Sequence, residues 1–121
     1  MLKTCVITTA IMAFISFTPD NGLVGRWETK PSVNGNVTGV VFKADNTYEA
    51  YVNKKPFVSG RYQIKDSLIT IKEIGCQDYV GTYKLVFFSN SDSLRLVPVS
   101  DSCQQRREGM ARTILGRVKK A

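Results

Sequence analysis

CQDYVGTYKLVFFSNSDSLRLVPVSDSCQQR, running from Cys76 to Arg106, is the stretch that decides the fold. Within it, Gly81–Phe88 and Leu94–Val99 are rich in β-branched and aromatic residues, and Ser89–Ser93 (SNSDS) between them has the chemistry of a turn. Cys76 and Cys103 stand just outside this strand pair, where a bond between them would staple a small barrel.

Working outward towards the N-terminus, the same alternation of short β-favouring runs and turns continues. The runs are Leu23–Thr29, Val37–Phe42, Thr47–Val52, Phe57–Ile64 and Ser67–Glu73, broken by Lys30–Pro31, Asn34–Gly35, Ala44–Asn46, Asn53–Pro56 and Lys65–Asp66. No helix-period segments interleave to cover a parallel sheet, so the fold class is all-β. Short connections make an antiparallel up-and-down meander the simplest topology, and closure into a barrel removes its two exposed edges. The closing eighth strand falls after Cys103, with Arg112–Val118 the candidate piece. Met110, Ala111, Ile114 and Leu115 also fall at helical spacing, so strand and helix both stay open there.

The N-terminal stretch reads differently. One basic residue, Lys3, precedes a run from Cys5 to Phe17 without Asp or Glu, which is the pattern of a secretory signal peptide. Residues 1–18 are expected to be that signal, or an uncleaved N-terminal anchor, with residues 22–121 forming one barrel domain. The expected location is secreted or periplasmic, with membrane contact only through the N-terminal segment if it is retained. Without that segment two cysteines remain, an even count in an exported chain, which argues for a Cys76–Cys103 disulfide over two free thiols. Such a loop closure contributes roughly 3–4 kcal/mol in the chain-entropy account.

The formal net charge is +7. Much of the excess lies in Arg106, Arg107, Arg112, Arg117, Lys119 and Lys120, opposed by Glu108 alone, and reads as a solvated basic end. The chain has no histidine, which removes Ser-His-Asp and Cys-His catalysis and most zinc or copper sites. No cofactor or metal is expected. Glu28, Glu49, Glu73, Asp78 and Asp101 lie at strand ends or on polar faces, with no apolar run to raise a pKa, so no enzyme activity is expected. Lys54, Lys55, Phe57, Arg61 and Tyr62, with Tyr51 upstream, could form a stacking face for nucleic acid, but export argues against that partner. Asn36–Val37–Thr38 matches a glycosylation acceptor.

Strand alternation assigns Val58, Gly60, Tyr62 and Ile64 to one interior set, and Tyr83, Leu85 and Phe87 to another. Tyr48, Ala50 and Val52 oppose Thr47, Glu49 and Tyr51, while Leu94 and Leu96 oppose Arg95. The expected cavity residues are Tyr48, Tyr62, Tyr83, Leu85, Phe87 and Leu96. An eight-stranded barrel is just wide enough to pack such residues as a core or to hold one small ligand. On the cavity reading, Tyr83→Ala should weaken ligand binding more than it perturbs the fold.

These residues carry a family likeness. GRW at Gly25–Trp27, FKADNTY at Phe42–Tyr48, SGRYQIKDSLITI at Ser59–Ile71 and the two-cysteine ending resemble the short, exported bacterial lipocalin-like (calycin-type) domains. The resemblance covers most of Leu23 to Arg106. It implies an antiparallel barrel binding a small hydrophobic or amphipathic molecule, without catalysis. It also implies that Trp27 packs beneath a C-terminal arginine, Arg117 or Arg112, as a structural closure. The alternative function is a protein-interaction or inhibitor module acting through loops and the basic tail.

Overall fold

Eight strands of three to eleven residues, alternating inward and outward side chains, hydrogen-bond in sequence order until the last meets the first. A computed structural model describes residues 22–73, 76 and 79–119. The strands are β1 (Gly25–Glu28), β2 (Thr38–Phe42), β3 (Thr47–Val52), β4 (Lys55–Lys65), β5 (Leu68–Glu73), β6 (Val80–Phe88), β7 (Ser93–Ser100) and β8 (Leu115–Arg117). One helix, α1 (Gln104–Arg112), lies between β7 and β8. All eight pairings are antiparallel and the sheet is a closed barrel. The expected signal segment lies outside the described residues, and so does Asp78.

The C-terminal ambiguity resolves into both elements. Gln104–Arg112 is built, apart from Gly109, from good helix formers, whereas Leu115–Arg117 supplies the closing strand. That strand is only three residues long, yet it pairs Arg117 with Trp27 and Leu115 with Leu94. Closure leaves no free strand edge in the described sheet.

Turn chemistry fixes the registers. Val52 pairs with Lys55 across Asn53–Lys54, whose φ angles of +52° and +71° belong to a tight left-handed turn. Two bulges interrupt the ladders. At the first, Ala50 pairs with Val58 and Tyr51 with Pro56, leaving Phe57 as the extra residue. At the second, Thr82 pairs with Ser100 and Tyr83 with Pro98, leaving Val99 extra.

The interior divides along the barrel axis. One end is closed by the β2–β3, β4–β5 and β6–β7 turns and is packed around the fully buried Leu23, Trp27 and Leu94. Trp27 there is fully buried, donates from Nε1 to the Leu23 carbonyl at 2.9 Å, and has Phe87 at 6.1 Å. The Arg117 guanidinium covers the indole at 4.3 Å and donates to the Gly22 and Ser91 carbonyls. Among the described residues no helix is long and apolar enough to cross a membrane.

The basic end of the chain is not a uniformly solvated tail. Arg106 is buried, Arg117 is committed to Trp27, and Lys119 pairs with Asp92 at 3.1 Å. Each is drawn in because a short α1–β8 segment must be fastened to the barrel on both sides.

Candidate functional site

The opposite end of the barrel carries the β1–β2, β3–β4 and β5–β6 connections, and α1 starts there and packs against β7. A nine-residue helix is marginal alone, so its position depends on fastenings to the sheet. The first is the Cys76–Cys103 disulfide, which ties the residue before α1 to the β5–β6 connection with a Cα–Cα distance of 5.9 Å. The second is an ion pair from inside the helix. Arg106 donates from Nε to Asp101 Oδ2 at 2.7 Å and from Nη2 to Asp101 Oδ1 at 2.8 Å, a two-point contact of the stronger kind. Its Nη2 also donates to the Tyr79 carbonyl at 2.9 Å.

Asp101 is the hub of this end. Beyond Arg106 it accepts from the Tyr83 hydroxyl and from the Cys103 backbone amide. Gly81 makes room for it: a Cβ there would collide with the Asp101 carboxylate. Burial pushes the Asp101 carboxyl up, but the Arg106 guanidinium, the Tyr83 hydroxyl and the Cys103 amide outweigh it and hold the pKa at about 2. Burial first, and then the hydrogen bond to Asp101, pushes the Tyr83 hydroxyl above its ordinary value. Tyr48 is pushed up in the same way by burial and by Glu73, to which its hydroxyl donates at 2.5 Å.

Between this cluster, α1 and the strands lies a cavity of about 330 Å³. Its walls are mostly apolar, with Val40, Phe42, Ala50, Val58, Leu96 and Leu115 from the barrel and Met110 from the helix. Tyr48, Glu73 and Arg106 supply the polar groups. Phe57, the bulged residue of β4, also lines the cavity while remaining 62% exposed, which sets an aromatic ring at its mouth.

The expected cavity residues therefore separate. Tyr48 and Leu96 are on the wall. Tyr62, Tyr83 and Leu85 belong to the packed core, with Phe87 against it beside Trp27. Tyr62 donates its hydroxyl to the Lys43 carbonyl at 2.6 Å and meets Phe42 edge-on. These residues face inward as alternation requires. Tyr62, Leu85 and Phe87 serve the packed end and Tyr83 packs beneath Asp101 at the other, a distinction that alternation alone does not make.

Arg106, Glu73 and Met110 were not among the expected cavity residues. Asp101 was read as one of several polar-face carboxylates, and its side chain is instead fully buried. The available signal was the spacing of Asp101 and Arg106 around Cys103, which places both charges beside one end of the staple.

The basic and aromatic set near β4 does not form one face. Tyr62 points inward and Phe57 stands at the cavity mouth. Tyr51 is buried on the outer surface, between the Arg26 guanidinium at 5.2 Å and Glu28, to which it donates at 2.6 Å. Among the described residues, no cluster of three or more Cys, Asp or Glu could hold a metal ion. Compared with protein-family models and with curated proteins, the sequence matches none of them.

Proposed function

We propose that this is an exported, lipocalin-like protein that binds one small hydrophobic or amphipathic molecule in the α1-lined cavity of its barrel and performs no catalysis. The observation that carries this reading is the cavity of about 330 Å³, mainly apolar and bounded by a few convergent polar groups. That volume lies at the small end of the ~300–1,000 Å³ range of ligand pockets. Burial of apolar ligand surface would supply most of the affinity, at about 25 cal/mol per Å² before ordering costs. The disulfide supports a secreted or periplasmic location.

An interaction module working through the basic tail is less supported. Arg106, Arg117 and Lys119 are already engaged within the domain, which leaves fewer charges for a partner.

The test is native mass spectrometry of protein recovered from its own exported fraction, before and after organic extraction. A bound small-molecule mass that disappears on extraction is the expected result. A bare oxidised polypeptide, equally bare after incubation with candidate apolar molecules, would falsify the cavity reading.

A further inference from the structure

Arg106 uses its Nε and Nη2 on Asp101 and the Tyr79 carbonyl, while its Nη1 has no hydrogen-bond acceptor among the described residues. The Glu73 Oε1 carboxylate oxygen is 3.9 Å away, beyond hydrogen-bond reach. The side chain is only 5% exposed, so water does not replace the missing acceptor freely. An orphaned donor of this kind is costly, and a native fold that keeps one at a cavity wall gains when a ligand satisfies it. Arg106 and Glu73 both line the cavity.

The charge balance at this wall selects what can approach. Arg106 is already neutralised by the two-point contact with Asp101, and Glu73 adds a further negative charge. Arg107 lies outside the cavity wall, donating to the Asp101 backbone carbonyl at 3.0 Å. An incoming carboxylate would therefore be desolvated beside two existing carboxylates with a single shared cation. A neutral hydroxyl meets no such penalty. Its oxygen can accept from Arg106 Nη1 while its proton is donated to Glu73, and Tyr48 stays in place by donating to the same carboxylate.

We propose that the cavity selects a neutral, hydroxyl-bearing apolar ligand, an alcohol of the fatty or terpenoid class, over the corresponding acid or amine. Arg106 and Glu73 are the groups that read the hydroxyl. This rests on the cavity-binding reading above and specifies its polar contact.

The experiment uses the full oxidised chain at neutral pH and a neutral fluorophore, N-phenylnaphthylamine, displaced by decanol, decanoate or decylamine. Decanol is expected to displace the probe at a concentration at least tenfold lower than either charged analogue. Glu73→Gln removes one negative charge but keeps an acceptor for Tyr48. With its circular dichroism unchanged, that variant is expected to bind decanoate about tenfold more tightly and to close most of the gap. Equal displacement by all three molecules shows that the polar end is not read and overturns the inference while leaving the cavity reading intact. Preference for decanoate overturns it in favour of an anion site at Arg106, and preference for decylamine in favour of a cation site at Glu73. A decanol preference that Glu73→Gln leaves unchanged removes Glu73 from the role. Failure of the folded protein to bind the probe or any of the three molecules overturns the cavity reading and this inference together.

Discussion

Lys54 occupies a left-handed backbone position at φ +71°, which glycine adopts without the steric cost borne by a residue with a Cβ. Its neighbour Asn53 tolerates its own positive φ better, and the Asn53 Oδ1 accepts from the Val37 amide at 2.9 Å. Lys54→Gly should therefore stabilise the fold by about 0.5–1 kcal/mol, net of glycine's greater unfolded-state entropy. A higher urea midpoint at unchanged slope is the readout. Tyr83 presents the opposite case. It is fully buried behind the cavity-lining Arg106, with its hydroxyl on Asp101. Tyr83→Ala should cost about 3–5 kcal/mol of stability, whereas Tyr83→Phe should cost about 1.5–3 kcal/mol, the hydrogen bond to the ionised Asp101. Comparable midpoints for the two variants would contradict the core placement. This reverses the expectation that Tyr83→Ala would act mainly on ligand binding.

Two elements depend on contacts that their own sequences do not announce. Strand β2 carries Gly39 opposite Tyr51 of β3, and a Cβ on Gly39 would collide with the phenol ring. Gly39→Ala should destabilise by about 1–3 kcal/mol, the usual range for overpacking. Combining it with Tyr51→Ala should give less than the sum of the two single losses, because both changes address one contact. Additive losses in that cycle would show that the ring moves aside freely. Helix α1 depends on the staple. Replacing Cys76 and Cys103 by serine opens a loop of 27 residues and should cost about 3 kcal/mol. Hydrogen exchange should then show α1 amides losing protection before those of β4 and β6, since the helix is too short to persist alone. Uniform loss of protection would mean that the Arg106–Asp101 pair fastens the helix without help.

At the scale of the whole molecule, the buried charge cluster sets the response to acid. The Asp101 carboxyl is held at about 2, below its ordinary 3.8, so the folded state binds its proton more weakly than the unfolded chain. Its stabilising contribution is fully present above the unfolded value and is lost as pH falls through the folded one. Wild-type stability should decline between these two values. Asp101→Asn should be less stable at neutral pH and lose less across the same window. Parallel curves for the two proteins would show that other carboxylates govern acid unfolding. Tyr48 and Tyr83 impose the converse limit: both hydroxyls are raised above their ordinary value of 10.0, so the fold should weaken as pH climbs beyond it.

Strand number, order and faces were legible in the sequence because they follow from local chemistry. Period-two alternation and the Asn53–Pro56 and Lys65–Asp66 turn signals each act over a few residues, and seven runs matched observed strands to within two residues at each end, although the first connection is the shorter Asn53–Lys54 turn. The assignments of Leu94, Leu96, Tyr48 and Tyr62 to the interior follow from the same periodicity. The division of that interior into a packed end and a hollow one was not legible. It depends on which loops close each end, on the bulge that expels Phe57, and on α1 packing beside β7 and lining the cavity. The burial of Asp101 and Arg106 likewise required the third dimension. Residues five apart become a desolvated ion pair only where the Gly81 backbone, the Tyr83 hydroxyl and the staple at Cys103 converge on them. The sequence by itself determined a stapled antiparallel barrel, because local periodicity and turn chemistry are enough for that. Only the tertiary structure decided where its cavity and its charges lie, because both come from packing between residues far apart in the chain.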